Sequence, residues 1–417
     1  MKKRRQAVIV GAARTPIGKL GGAYSEVSAE DLAVDAVSEA LGRSMLDERV
    51  KIDHILGGMV LGEKDGQQIF LPRNVAFRAA ERTGHEQLKE SPALLEQRIC
   101  GTGFQLAATA ATMIEGNYYG RAKCIVIFGT ENMTRAPQIS TGKRKQGRPW
   151  DHEGGVLLDP LKEIFQHRLF KTNMAATAEY YGLSLGITRE DCDAYAVLSH
   201  MRAVSAWHHD KTRGLFPLQV MDAQGAPVRI EKDEGARLYA HVEGALQKLA
   251  ALSPLQEFEG VTDLVTPGNA SQISDGAAAL VLMERKYADS LGVKYEYEIA
   301  DYQVATVHPT LMGQGPVPAI QDLLRKVKKS VDDIDLFEIN EAFAAQYLAV
   351  EKELGLPRDR TNVNGGAIAI GHPLAATGLR ITTDLLYELK RQELDSGIGS
   401  ACIGGGQGIA VCIQRVT

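Results

Sequence analysis

Two hydrophobic rhythms alternate along the chain. Residues 7–10 (AVIV) form a continuous apolar run closed by Gly11, the pattern of a buried strand, and residues 28–41 repeat apolar positions at helical spacing with Ser28 placed as N-cap. A stronger unit starts at Arg98: the turn RICGTG, the apolar helix FQLAATAATMIEG and the strand KCIVIFG at 123–129. The same order returns late. NGGAIAIGHPLAATG (364–378) reads as a Gly-rich turn, GLRITTDLLYELKRQ as an amphipathic helix, and SACIGGGQGIAVCIQ (400–414) as strand, glycine turn and strand. GNASQISDGAAALVLMER (268–285) predicts a further β-turn-β echo, with a helix RKYADSLG after it.

These echoes predict an α/β fold of two similar halves, 1–129 plus 274–293 and 294–417, with an excursion over 130–273 inserted in the first. A single core with chance similarity is the alternative. Within the excursion, 141–155 (TGKRKQGRPWDHEGG) reads as an exposed loop and Arg189–His208 as a helix. Lys143, Arg144, Lys145 and Arg148 fit a solvated loop better than a phosphate site.

Composition sharpens this in three places. Hydrophobic residues at 44% and charged residues at 24% fit a soluble globular chain, and the 417 residues allow two to three domains. Glycine, 42 residues in all, concentrates late, with ten between 361 and 408, where the backbone must do what side chains forbid. The five cysteines (Cys100, Cys124, Cys192, Cys402, Cys412) show no CxxC or Cys/His ligand spacing, so neither a disulfide framework nor a metal site is expected. A net charge of −5 provides no global field for nucleic acid. The MKKRR start reads as a solvated lead into the first strand. With no secretory h-region and no membrane-length apolar run, a cytoplasmic, reducing compartment is expected.

Cys100 falls between a turn and a helix, where the exposed N–H groups and the helix dipole favour a thiolate; a buried unreactive cysteine is the competing reading. His372 holds the matching position before the late helix. If the halves pack about a pseudo-twofold, the two converge as nucleophile and base. Cys402 stands before GGGQG, which is either a phosphate loop or an oxyanion site beside a second thiol; the strand-like GIAVCIQRV after it disfavours the phosphate loop. Asn340, at the end of the strand-like IDLFEI, is a simple N-cap or a functional group at a strand's carboxyl end.

Together, RICGTG, NEAF, GGAIAIGHP and CIGGGQG, in that order, resemble the thiolase family, as do VIVGAARTPIGKLGG, PGNASQISDGAAA and GQGPVPA. The resemblance implies duplicated βαβαβαββ halves in a layered αβαβα core with an inserted loop domain. It makes Cys100 the acyl-accepting nucleophile, His372 its base and Cys402 the acid/base of condensation. Asn340 would hold a water that forms one oxyanion hole with His372, and the backbone N–H groups of Cys100 and Gly404 would form a second. Ser271 and Arg237 are the implied coenzyme A contacts, and Met174 and Phe343 the implied substrate contacts. CoA thioesters enter as substrates with no resident cofactor, and a homodimer or homotetramer is implied. The expected reaction is reversible condensation of two acetyl-CoA; a broad-chain-length 3-ketoacyl-CoA thiolase of fatty-acid breakdown, a ketoacyl-synthase-type enzyme and a non-catalytic CoA-binding subunit are the alternatives. Two departures stand out: Ala375 where the family usually has glycine, and Asn173-Met174-Ala175 where it often has His-Met-Gly. The second is expected to reshape the acyl pocket.

Overall fold

The computed structural model describes residues 5–63, 66–116, 122–146, 148–222, 224–255 and 259–416. Most of the basic start, residues 1–4, therefore lies outside the described residues. Nine strands carry the core: β1 (Ala7–Arg14), β2 (His54–Gly58), β3 (Ala93–Glu96), β4 (Cys124–Asn132), β5 (Ser274–Glu284), β6 (Tyr297–Thr306), β7 (Leu336–Ile339), β8 (Ser396–Ile403) and β9 (Gln407–Arg415). They run β7-β8-β9-β6-β1-β5-β4-β2-β3 in one sheet, with Gly18–Lys19 added beside β5.

Read outward from its centre, this order is a mirror. On one side lie β1, β5, β4 and β2, on the other β6, β9, β8 and β7, and each innermost strand is the first of its half. Parallel pairing occurs at matching places, β2 with β3 and β4, β7 with β8 and with a bridge at Thr361. Ala7–Ile9 pair with Tyr297–Ile299 to join the halves. The duplication inferred from the sequence echoes is thus visible strand by strand.

The helices obey the same symmetry. α1 (Ala29–Ser44) starts at a capping box in which Ser28 and Asp31 satisfy each other's backbone N–H, and with α2 (Leu71–Thr83) it covers the outside of the first half. α3 (Thr102–Glu115) and α8 (Leu374–Gln392) pack together in the middle layer, and α6 (Pro316–Val327) and α7 (Ala344–Leu354) cover the second half. At the central crossing, a Cβ on Gly103 would lie 2.5 Å from the Leu379 nitrogen, and one on Gly378 would lie 2.2 Å from the Phe104 nitrogen. Two backbones meet there, and only glycine on both sides permits it.

The excursion leaves the sheet after Asn132 and returns at Ser274. Although inserted in the first half, it packs against the second. Its helices α4 (Met174–Ser184) and α5 (Arg189–His208) lie on α7. Glu179, fully buried, accepts N–H bonds from Asp263, Leu264 and Val265 and pins the returning segment. Arg14 of β1 joins all three parts: it pairs with Asp233 of the excursion at 2.8 Å and with Asp384 of α8 at 2.7 Å, and is 2% exposed.

Three sequence expectations change. The segment 268–285 is not β-turn-β but one strand from Ser274, because Asp275-Gly276 is a site for small side chains and not a turn; a Cβ on Gly276 would press on Ile17 at 2.7 Å. The late turn is shorter than read, since Ala367–Ile370 is a helical turn and α8 already begins at Leu374. Residues 141–155 are not unstructured: Lys143–Lys145 pair with Arg148–Glu153, Gly147 between them lying outside the described residues. Cys124, Cys192 and Cys412 are free and buried in apolar clusters, as packing residues should be.

Candidate active site

Cys100 sits in the single turn Ile99–Gly101 that feeds α3, after a residue, Ile99, at φ 47. Such a backbone is unusual for a β-branched side chain and holds the thiol at a sharp corner. The N–H groups of Gly404 and of Cys100 itself lie close enough to the sulfur to favour its charged form. Gly404 opens the turn between β8 and β9, where Gly405 (φ 89) and Gly406 (φ 83) take conformations that favour glycine. That turn holds three of the ten late glycines; Gly378 lies at the α3–α8 crossing, and Gly397, Gly399 and Gly408 lie within β8 and β9.

The electrostatics correct one expectation. Burial pushes the Cys100 thiol up to about 11, more than the two N–H groups pull it down, so the resting group is a thiol and not a thiolate. Ionisation must therefore be coupled to a base. His372 is buried and held down to about 3 by desolvation, with Arg380 adding to the effect, so it rests as neutral imidazole. Its Nδ1 is 2.6 Å from the Thr377 hydroxyl, which itself donates to the Pro373 carbonyl at 2.9 Å. With its own proton so committed, the Thr377 oxygen accepts from Nδ1–H, and the network assigns the lone pair to Nε2. The amide nitrogen of Asn340 approaches that Nε2 at 3.4 Å, and the buried Oδ1 of Asn340 has no protein partner.

Cys402 ends β8, fully buried beside Met312, Ala342, Met174 and Phe343; burial and the neighbouring Cys100 sulfur both raise its thiol strongly. Cys100 packs on Leu374, Leu61 and Met133. A cavity of about 430 Å³ opens beside them, lined by His372, Leu374, Ser271, Phe343, Phe165 and Ala175 among others. The structure therefore gathers Cys100, Cys402, Gly404, His372, Asn340, Met174, Phe343 and Ser271 at one end of the α3–α8 crossing.

Arg237 is not part of that gathering. Its side chain is exposed, it is absent from the cavity wall, and its backbone N–H donates to His200 Nδ1 at 3.1 Å. Asn173 also departs from expectation: it caps α4 through the Ala176 N–H and donates to the Glu259 carbonyl at 2.7 Å, leaving Met174 alone to face the site. Ala375 lies in the first turn of α8, and its N–H donates to Glu131 at 3.2 Å. Glu131 is the site residue that sequence reasoning missed. It lies just past the strand as read to 129; the usable signal was a carboxylate following an unbroken apolar run at a strand's carboxyl end. Among the described residues, no group of three or more His, Cys, Asp or Glu could hold a metal, and no helix is long and apolar enough to cross a membrane.

Comparison with known proteins places this geometry. The family described as "Thiolase, N-terminal domain" matches residues 7–286, and "Thiolase, C-terminal domain" matches 293–415. An acetyl-CoA acetyltransferase of Cupriavidus necator is 37% identical over 98% of this chain and 99% of its own, and the human mitochondrial 3-ketoacyl-CoA thiolase is 37% identical over 98% of each. The crystal structure of that human enzyme superposes with a TM-score of 0.88 at 36% identity, covering 99% of each chain. The Bacillus anthracis acetyl-CoA acetyltransferase gives 0.87 at 36% identity over the whole of both chains. With both halves matched, in order and nearly end to end, the chain belongs to the thiolase family.

Proposed function

We propose that the protein is a CoA-dependent acyltransferase that condenses two acetyl-CoA to acetoacetyl-CoA and CoA, or cleaves acetoacetyl-CoA in reverse. The observation that carries this reading is the gathering of two thiols, Cys100 and Cys402, at the Gly404 turn beside an imidazole held with its lone pair on Nε2. Nε2 of His372 takes the Cys100 proton as the sulfur attacks the thioester carbonyl. The resulting oxyanion collapses with loss of CoA thiolate, which takes the Cys402 proton and leaves Cys402 as the thiolate. The Cys402 thiolate then removes an α-proton from the second acetyl-CoA, whose enolate oxygen is stabilised by Asn340 and by His372, which holds the Cys100 proton on Nε2 until the Cys100 thiolate is re-formed and takes it back. The carbanion attacks acetyl-Cys100 and releases its thiolate, and the N–H groups of Cys100 and Gly404 hold the second oxyanion. Each charge appears beside a donor already in place, which is what a dry site requires.

The same reading takes CoA thioesters as substrates, needs no resident cofactor or metal, and includes a homodimer or homotetramer in a reducing, cytoplasmic compartment. Ser271, on the cavity wall, fits a contact to the CoA arm, and exposed Arg237 fits only a contact outside the cavity. A second reading, thiolysis of longer 3-ketoacyl-CoA, is favoured by the apolar wall formed by Met133, Leu161, Phe165, Ile273 and Leu374. Intact-mass measurement after incubation with acetyl-CoA tests the chemistry. Wild type gains one acetyl group on Cys100, Cys100→Ala gains none, and Cys402→Ala is acetylated but forms no acetoacetyl-CoA. An acetyl group on neither thiol contradicts the proposal. The chain-length profile of thiolysis then separates the two readings.

A further inference from the structure

Glu131, the last residue but one of β4, is fully buried within reach of the nucleophile. Its carboxylate accepts three backbone N–H bonds: from Val60 at 3.1 Å and Leu61 at 2.9 Å, in the loop after β2, and from Ala375 at 3.2 Å, in the first turn of α8. These three donors belong to the two segments that wall Cys100, since Leu61 and Leu374 pack with it. The same turn of α8 holds Thr377, whose hydroxyl fixes His372. A carboxylate here thus ties strand end, loop and helix into one corner.

We propose that Glu131 is a positioning residue for the thiol–imidazole pair: it fixes the first turn of α8, and with it His372, against the Cys100 wall, and its charge opposes thiolate formation until substrate arrives. The inference rests on the acyl-transfer reading above. Three bonds to N–H groups fit an ionised acceptor, yet among the described residues no cation pairs with it. Asp275 of β5 adds repulsion, Glu131 in turn opposes ionisation of Cys100, and Arg135 is taken by Glu63 at 2.7 Å. Burial, with Asp275 adding repulsion, raises the Glu131 carboxyl to about 7 against the pull of the three N–H groups, so its charge is marginal at neutral pH. Position and charge are separable roles, and two substitutions separate them. Glu131→Gln keeps the length and an acceptor oxygen but no charge; Glu131→Asp keeps the charge and withdraws the acceptor.

The test is the pH profile of Cys100 alkylation by iodoacetamide, read by peptide mass, together with the rate of acetylation by acetyl-CoA. For Glu131→Gln we expect the apparent thiol pKa to fall by about half a unit or more. For Glu131→Asp we expect an unchanged thiol pKa, acetylation slowed about tenfold or more, and KM for acetyl-CoA within about twofold of wild type. A folded Gln variant with the wild-type alkylation profile, or an Asp variant that acetylates at the wild-type rate, overturns the proposal. If Gln fails to fold, the Asp variant decides it. Failure of wild type to take an acetyl group at all would refute the acyl-transfer reading instead, while the alkylation shift still reports on Glu131.

Discussion

His372 shows how far one buried side chain can be specified by its surroundings. Its neutral state comes from desolvation, its tautomer from Thr377, and its aim from the Asn340 amide. Thr377→Val retains shape but removes the acceptor for Nδ1–H; the proton is then free to move to Nε2, and we expect acetylation of Cys100 to slow by about 10- to 100-fold in single-turnover assays. Burial has a cost in acid. The folded-state pKa of His372 lies near 3 and an unfolded histidine titrates near 6.5, so the unfolded chain binds a proton first as pH falls. Stability from this residue is therefore full above about 6.5 and is lost towards 3, by about 2 kcal/mol between pH 6.5 and 5. Urea melts at pH 7 and 5 should show a smaller difference for His372→Asn than for wild type. Cys100, His372 and Cys402 were legible because each adjoins glycine or turn chemistry. Thr377 was not, since it acts through ring orientation and leaves no local pattern, and Glu131 left only the signal of a carboxylate after an apolar run, its partners lying far off in the chain.

Elements were legible where local chemistry decides them. The N-cap at Ser28 and the glycine turn before β9 were read correctly, since the signals for both lie within a few residues. The start of α8 was misplaced because Pro373 and the Ala375 bond to Glu131 settle it, and that carboxylate is supplied from another strand. Likewise Asp275-Gly276 has the composition of a turn, but small size is what the packing of β5 demands. The α3–α8 crossing makes its own prediction. Gly378→Ala places a methyl 2.2 Å from the Phe104 nitrogen, and as backbone is the obstacle, the helices must separate. We expect a loss of about 1–3 kcal/mol in urea melts. Because the crossing sets the spacing of Cys100 and His372, kcat should fall by about 100-fold even at temperatures where the variant is fully folded.

At the scale of the whole molecule, the mirrored strand order turns weak sequence echoes into a definite duplication, whereas the packing of the excursion on the second half could not be read from a position inside the first. Arg14 holds these parts together, and because its two carboxylate partners sit in different parts, its loss should loosen the excursion and α8 at once. Arg14→Ala leaves Asp233 without its buried cation and Asp384 with only Arg380 at 3.7 Å, and we expect about 3–5 kcal/mol of destabilisation, measured as a shift in the urea midpoint.

The mirror also pairs two joints in the chain. Between β4 and β5 the first half carries residues 133–273, while between the corresponding β8 and β9 the second half carries only Gly404–Gly405–Gly406. One connection of the repeated unit is a long arm, and its counterpart is three glycines, of which Gly404 brings its N–H beside the Cys100 sulfur. The long arm lines the cavity through Phe165, Ala175 and Ser271 while the glycine turn lies beside Cys100, so the repeats have divided labour: what one copy gained in reach, the other gained in backbone brought close to the nucleophile. A module built from either copy twice over would have two arms or two bare turns, and could not both hold a thioester and steady its oxyanion.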